Sequence, residues 1–221
     1  MIRKNRWQLI ITSVIILLPI AAGLLIWNDL PEQITTHWGA DGEPNKWSDK
    51  SFAVFGIPLF LLAVHWICIF FTTHDPKNKE QTGKVFNMVL WITPIISLIV
   101  CGCSYAFALG NDINMRMIGC AIMGIAFVII GNYMPKCKQN YTIGIKVPWT
   151  LQNEENWNKT HRFTGRLWVC GGLLLLATLL IPMDNILFIV LPVIFFIPSI
   201  PIIYSYAYYR KQLKAGIATK E

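Results

Sequence analysis

The chain alternates between solid apolar blocks and short polar intervals, and the blocks show no helical or strand periodicity. Six blocks stand out: Trp7–Trp27, Phe52–Phe71, Val85–Leu109, Met117–Met134, Leu167–Ile181 and Ile186–Tyr206. Most have the roughly 20 residues a helix needs to cross about 30 Å of hydrocarbon. Backbone groups in lipid must be satisfied within their own segment, so each block predicts a transmembrane helix. The first block follows a basic start and Ala21-Ala22-Gly23 is weakly cleavage-like, but the run exceeds a signal-peptide core and predicts an uncleaved anchor. The fifth block is short unless Phe163–Arg166 extend it. Pro19, Pro58, Pro94, Pro192, Pro198 and Pro201 fall inside spans and predict kinks, either structural or used as gates.

Charge then orients the bundle. Only 14% of residues are charged, against about a quarter in soluble domains. The net charge of +7 would suit nucleic acid, but the positive residues sit in the intervals between spans, so direct nucleic-acid binding is not expected. With both termini cytoplasmic, 16 of the 19 Lys and Arg fall inside, and Lys46, Lys50 and Arg116 fall outside. The expected fold is an all-α integral membrane bundle of six transmembrane helices in the plasma membrane. It divides by sequence into a two-span region, 1–84, with an external loop at 28–51, and a four-span region, 85–221, with a cytoplasmic loop at 135–166.

The external loop carries five acids, Asp29, Glu32, Asp41, Glu43 and Asp49, against Lys46 and Lys50. Such a loop attracts a cationic peptide, or is a solvated loop with interfacial anchors. Asp41-Gly42 is a turn signal. Gln33–Trp38 and Asn45–Ser48 could form the arms of a small hairpin, and Trp38 and Trp47 suit a membrane–water interface.

The long polar stretch, Asn140–Arg166, is the first candidate for function. Tyr141, Ile143, Ile145 and Val147 alternate with polar or small residues, which predicts a short extended segment ended by Pro148. Asn153 is a helix N-cap, with Glu154 and Glu155 in the first turn, where the helix dipole favours acid. On that helix Trp157, His161, Thr164 and Trp168 share one face and Lys159, Arg162 and Arg166 another. The pattern predicts an interfacial amphipathic helix bound to anionic lipid, or a docking platform for a cytoplasmic protein.

Other chemistry is sparse. The six cysteines lie in or beside apolar blocks, and Cys101-Gly-Cys103 lacks zinc spacing. His65 is an ionisable group inside the second span, either functional or a neutral packing residue, and Asn132 is a second intramembrane polar position. No metal, cofactor or catalytic set is expected: no hydrolase or phosphate-binding motif is present.

Two resemblances sharpen this reading. Leu30, Pro31, Ile34, His37, Trp38, Gly42 and Trp47 fit the L-P-x-x-I-P-x-H-W pattern of a small bacterial membrane domain of unassigned function, with Thr35 where that family has proline. Gly144-Ile145-Lys146-Val147-Pro148-Trp149-Thr150-Leu151, followed by Trp157 and Thr160-His161-Arg162, resembles the signature of the SdpI family of bacterial toxin-immunity proteins. Lys146-Val147 stands where that family has Arg-Thr, which keeps a charge but loses the guanidinium fork. The resemblance implies protection against a secreted, membrane-acting peptide toxin. It also implies a receptor role, in which a cytoplasmic repressor is sequestered at the membrane. The external candidates are then Leu30, Pro31, His37, Trp38, Gly42 and Trp47. The cytoplasmic ones are Gly144, Lys146, Pro148, Trp149, Thr150, Trp157, Thr160, His161, Arg162 and Arg166. A small peptide or amphiphile exporter and a structural partner of another membrane protein are the alternatives.

Overall fold

The computed structural model describes residues 5–39, 41–77, 83–180 and 187–216. The basic positions Arg3, Lys4, Lys79 and Lys220 and the turn expected at Pro182–Asn185 lie outside them. Among the described residues, six helices are long and apolar enough to cross a membrane. They are α1 (Arg6–Leu25), α2 (Ile57–His74, entered through a π-helical turn at Phe52–Gly56), α3 (Gly83–Ala108), α4 (Met115–Tyr133), α6 (Glu154–Ala177) and α7 (Leu187–Lys214). A five-residue helix, α5 (Pro148–Gln152), precedes α6. The chain is a multi-pass, all-α membrane protein with one small hairpin, β1 (Gln33–Trp38) and β2 (Pro44–Asp49).

Packing divides the chain into two compact units. The first holds α1, the hairpin, α2 and α3 from Phe86 onward; the second holds residues 75–77 and 83–85, α4 from Met117, and α5–α7. These boundaries differ from the division at residue 84 read from sequence, because packing groups the third span with the first two.

In the first unit, Pro19 removes a backbone donor from α1. Ser97 Oγ donates to Ile16 O at 2.9 Å and Tyr105 Oη to Pro19 O at 3.3 Å, so α3 side chains serve the carbonyls around the proline. His65 is fully buried, with Nε2 3.1 Å from Thr12 Oγ1, and ties α2 to α1. Thr12 Oγ1 in turn donates to Leu9 O. The apolar core at the hairpin end joins Leu30, Ile34, Ala53, Val54, Cys101 and Tyr105.

In the second unit, α4 and α6 meet through four glycines. A methyl group on Gly131 would lie 2.9 Å from Gly165 O, and one on Gly172 would lie 2.6 Å from Gly124 O. Each helix carries its pair seven residues apart, two turns, so both pairs fall on one edge and the backbones touch. Phe127 stacks on Trp168 at 4.9 Å beside this contact.

One expectation is corrected here. No separate interfacial amphipathic helix follows Asn153. Asn153 Oδ1 does accept the N–H of Asn156 as the N-cap, but α6 then runs unbroken from Glu154 to Ala177. Nothing between Arg166 and Leu167 stops a helix, so the polar segment is the first half of the fifth span's own helix. Its aromatic face is covered by protein: Trp157, His161 and Thr164 are all buried.

Candidate functional site

The external candidates form a stapled hairpin. Its register pairs Gln33 with Asp49, Ile34 with Ser48 and Thr35 with Trp47, and irregularities flank His37. At the turn, Asp41 Oδ1 accepts the N–H of Glu43 at 3.0 Å and Gly42 takes φ +88°, a conformation glycine adopts at no steric cost. Leu30 and Ile34 are buried anchors, while Pro31 is exposed. Trp38 is half-buried and packs edge-on against Phe107 of α3 at 5.7 Å. His37 points outward, with Nδ1 2.6 Å from Asn45 Oδ1, and Trp47 is 54% exposed. Of the six candidates, His37 and Trp47 therefore offer large side chains to solvent. Sequence reading missed Lys50, which is buried. Its Nζ donates to Trp27 O, Leu30 O and Glu32 Oε1, the last at 2.9 Å, and lies over the Trp27 ring. Its charge is spent holding the hairpin to the end of α1.

The polar stretch is built around buried polar atoms. Asn140 Oδ1 accepts the N–H groups of Thr142 and Ile143 at 2.8 and 2.6 Å, a side-chain turn, while its Nδ2 donates to Lys138 O and Ile143 O. Asp75 Oδ2 accepts the Tyr141 N–H at 2.7 Å and the Thr142 hydroxyl at 2.6 Å. Gln139 Nε2 donates to Thr150 O and Leu151 O. Residues 141–147 are accordingly a bent loop and not the extended segment that alternation predicted: the side chains of Asp75 and Asn140 take the backbone donors a strand would need.

His161 closes the loop. Its Nε2 accepts the Ile145 N–H at 3.1 Å, so that nitrogen carries no proton, and Nδ1 donates to Trp157 O at 2.8 Å. The side chain is thus a neutral imidazole of fixed tautomer. It stacks on Trp157 at 4.0 Å, and Trp157 Nε1 donates to Cys137 O at 2.8 Å. Gly144, at φ +115°, sits against the imidazole; a methyl group there would collide with Nε2. The Thr150 hydroxyl accepts the Val147 N–H and donates to Ile145 O. Thr160 Oγ1 donates to Asn156 Oδ1, and Asn156 Nδ2 donates to Ser205 O of α7. Trp149 is half-buried, with Nε1 donating to Ser205 Oγ at 2.8 Å.

The structure therefore gathers Thr150, Trp157, Thr160 and His161 into one buried scaffold, with half-buried Gly144 against it, and leaves Lys146, Pro148, Arg162 and Arg166 exposed around it. Arg162 and Arg166 stand one turn apart on the outer face of α6. Asn132 is exposed, one residue before the end of α4. Asp75, Asn140 and Gln139 were missed in the sequence. Asn140 had a local signal in its Asn-Tyr-Thr context, whereas Asp75 lies 66 residues from its partner and had none. Among the described residues no three His, Cys, Asp or Glu side chains are close enough to hold a metal ion.

Comparison with known proteins bears on both regions. Residues 136–205 match the SdpI/YfhL protein family, and residues 14–62 match a domain of unknown function (DUF1648). The Immunity protein SdpI of Bacillus subtilis (strain 168) is 27% identical over 204 residues, covering 91% of this chain and 96% of that protein. No solved structure matches.

Proposed function

On the premise of this similarity to the SdpI family, we propose that the chain is a membrane immunity protein, protecting its cell from a secreted, membrane-acting peptide toxin. The observation that carries this is the similarity to an immunity protein along nearly the full length of both chains. The geometry supports a division of labour. The hairpin is an acidic, stapled platform with His37 and Trp47 turned outward, suited to meeting a cationic peptide. The buried loop scaffold is rigid and presents Lys146, Arg162 and Arg166 as a basic surface for a cytoplasmic repressor. Signalling between the faces requires that the peptide bind one conformation better than another.

Survival under peptide-toxin challenge tests the reading. The chain is expressed in a sensitive bacterium beside a His37→Ala, Trp47→Ala variant, with membrane levels matched. The expected result is protection by the wild type and its loss in the variant. Protection by both moves recognition away from the hairpin, and protection by neither sinks the immunity proposal. Arg162→Glu combined with Arg166→Glu should release the repressor from membranes without changing insertion.

A further inference from the structure

The last two turns of α7 form a surface that the immunity reading does not use. Tyr206, Tyr209, Arg210, Leu213 and Lys214 recur at helical spacing and line one open depression of about 430 Å³. That volume lies at the small end of the range for small-molecule sites, too little for a docked helix but enough for a headgroup. Its aromatic wall is fixed from behind: the Trp149 ring lies 5.3 Å from Tyr206 and 6.0 Å from Tyr209, anchored through Ser205. Arg210 is held over Tyr206, its guanidinium carbon 5.9 Å from the ring and one N–H donating to Tyr206 Oη at 3.2 Å. Its remaining donors, like Lys214 one turn further, have no acidic partner among the described residues.

Depth narrows the occupant. At 1.5 Å per residue, the 28 residues of α7 span roughly 42 Å, about 12 Å more than the hydrocarbon layer. The apolar run of α7 ends near Tyr206, so the surplus, its last two turns, lies among the lipid headgroups. A depression there with two cations at its rim, tyrosine hydroxyls beside them and Leu213 within the lining matches one ligand chemistry: a phosphate ester on a glycerol backbone. We propose that this end of α7 is a binding site for an anionic phospholipid, with Arg210 and Lys214 on the headgroup phosphate and Tyr206, Tyr209 and Leu213 against the glycerol and first acyl carbons.

The test uses full-length protein in neutral detergent and native mass spectrometry, with phosphatidylglycerol or phosphatidylcholine added at equal concentration. Phosphatidylglycerol should be retained preferentially. Arg210→Gln and Lys214→Gln should each weaken that retention about fivefold, the effect of one cation near an anionic headgroup. Lys211→Gln is the charge-matched control, because Lys211 is exposed beside the depression without lining it, and it should leave retention unchanged. Equal retention of the two lipids, or an equal loss in Lys211→Gln, overturns the site in favour of diffuse attraction. Binding of an octaglutamate peptide through Arg210 and Lys214, without retention of phosphatidylglycerol, also overturns it and makes the surface a protein-docking face.

Discussion

At the scale of single residues, Gly144 and His161 form one of the close contacts of the second unit. Gly144 combines a positive φ with contact against the imidazole, whereas Gly110 has a positive φ of +84° and open space around it. Gly110→Ala should register the backbone conformation alone. Gly144→Ala adds the collision with His161 and should be the more damaging, destabilising by about 1–3 kcal/mol beyond the Gly110 variant. Melting temperatures of the two purified proteins in the same detergent decide it; equal losses would mean the loop yields around the new methyl group. The sequence made Gly144 and His161 visible as motif members, but their roles were hidden. A histidine beside an exposed basic face reads as a surface group, and only the fold places its Nε2 under the Ile145 N–H. Lys50 shows the same limit. Counted among the loop charges, it is in fact buried on three oxygen acceptors and the Trp27 ring.

At the scale of elements, the spans, the hairpin arms, the Asp41-Gly42 turn and the Asn153 cap were all legible, because each rests on local rules of length, alternation and capping. The α4–α6 contact was not. Glycines in a membrane span are common, and only the pairing of Gly124 with Gly172 and Gly131 with Gly165 gives them meaning. Gly165→Ala and Gly172→Ala should each weaken the second unit by roughly 1–3 kcal/mol, since the new methyl meets a backbone oxygen that cannot turn aside. Gly119→Ala, on α4 with nothing within 4 Å, is the matched control and should be neutral or slightly stabilising. Thermal unfolding in detergent separates the two classes; a neutral Gly172→Ala would show that the helices part without loss.

At the scale of the whole molecule, the charge asymmetry predicts a direction across the membrane. Residue 45 on the hairpin should face out and residue 146 in. In a variant whose six native cysteines are replaced, Asn45→Cys should react with an impermeant maleimide in intact cells, and Lys146→Cys only after lysis. The reverse pattern would invert the molecule and exchange the surfaces proposed for toxin and repressor. Membrane class and span number were readable from block length alone. The grouping of three spans in each unit was not, because it depends on contacts such as Ser97 with Ile16 that connect residues 81 apart.

The side-chain polar atoms of Thr150, Trp157, Thr160 and His161 are consumed within the protein's own framework. A motif of this kind works as a keystone, and its presence in a genome reports an architecture without naming a correspondent. Under the proposed docking role, two homologues can share it and still answer to different regulators, since that role falls to exposed neighbours such as Lys146, Pro148, Arg162 and Arg166. Transplanting those four positions between homologues should therefore exchange allegiance while leaving the keystone, and the stability it confers, in place.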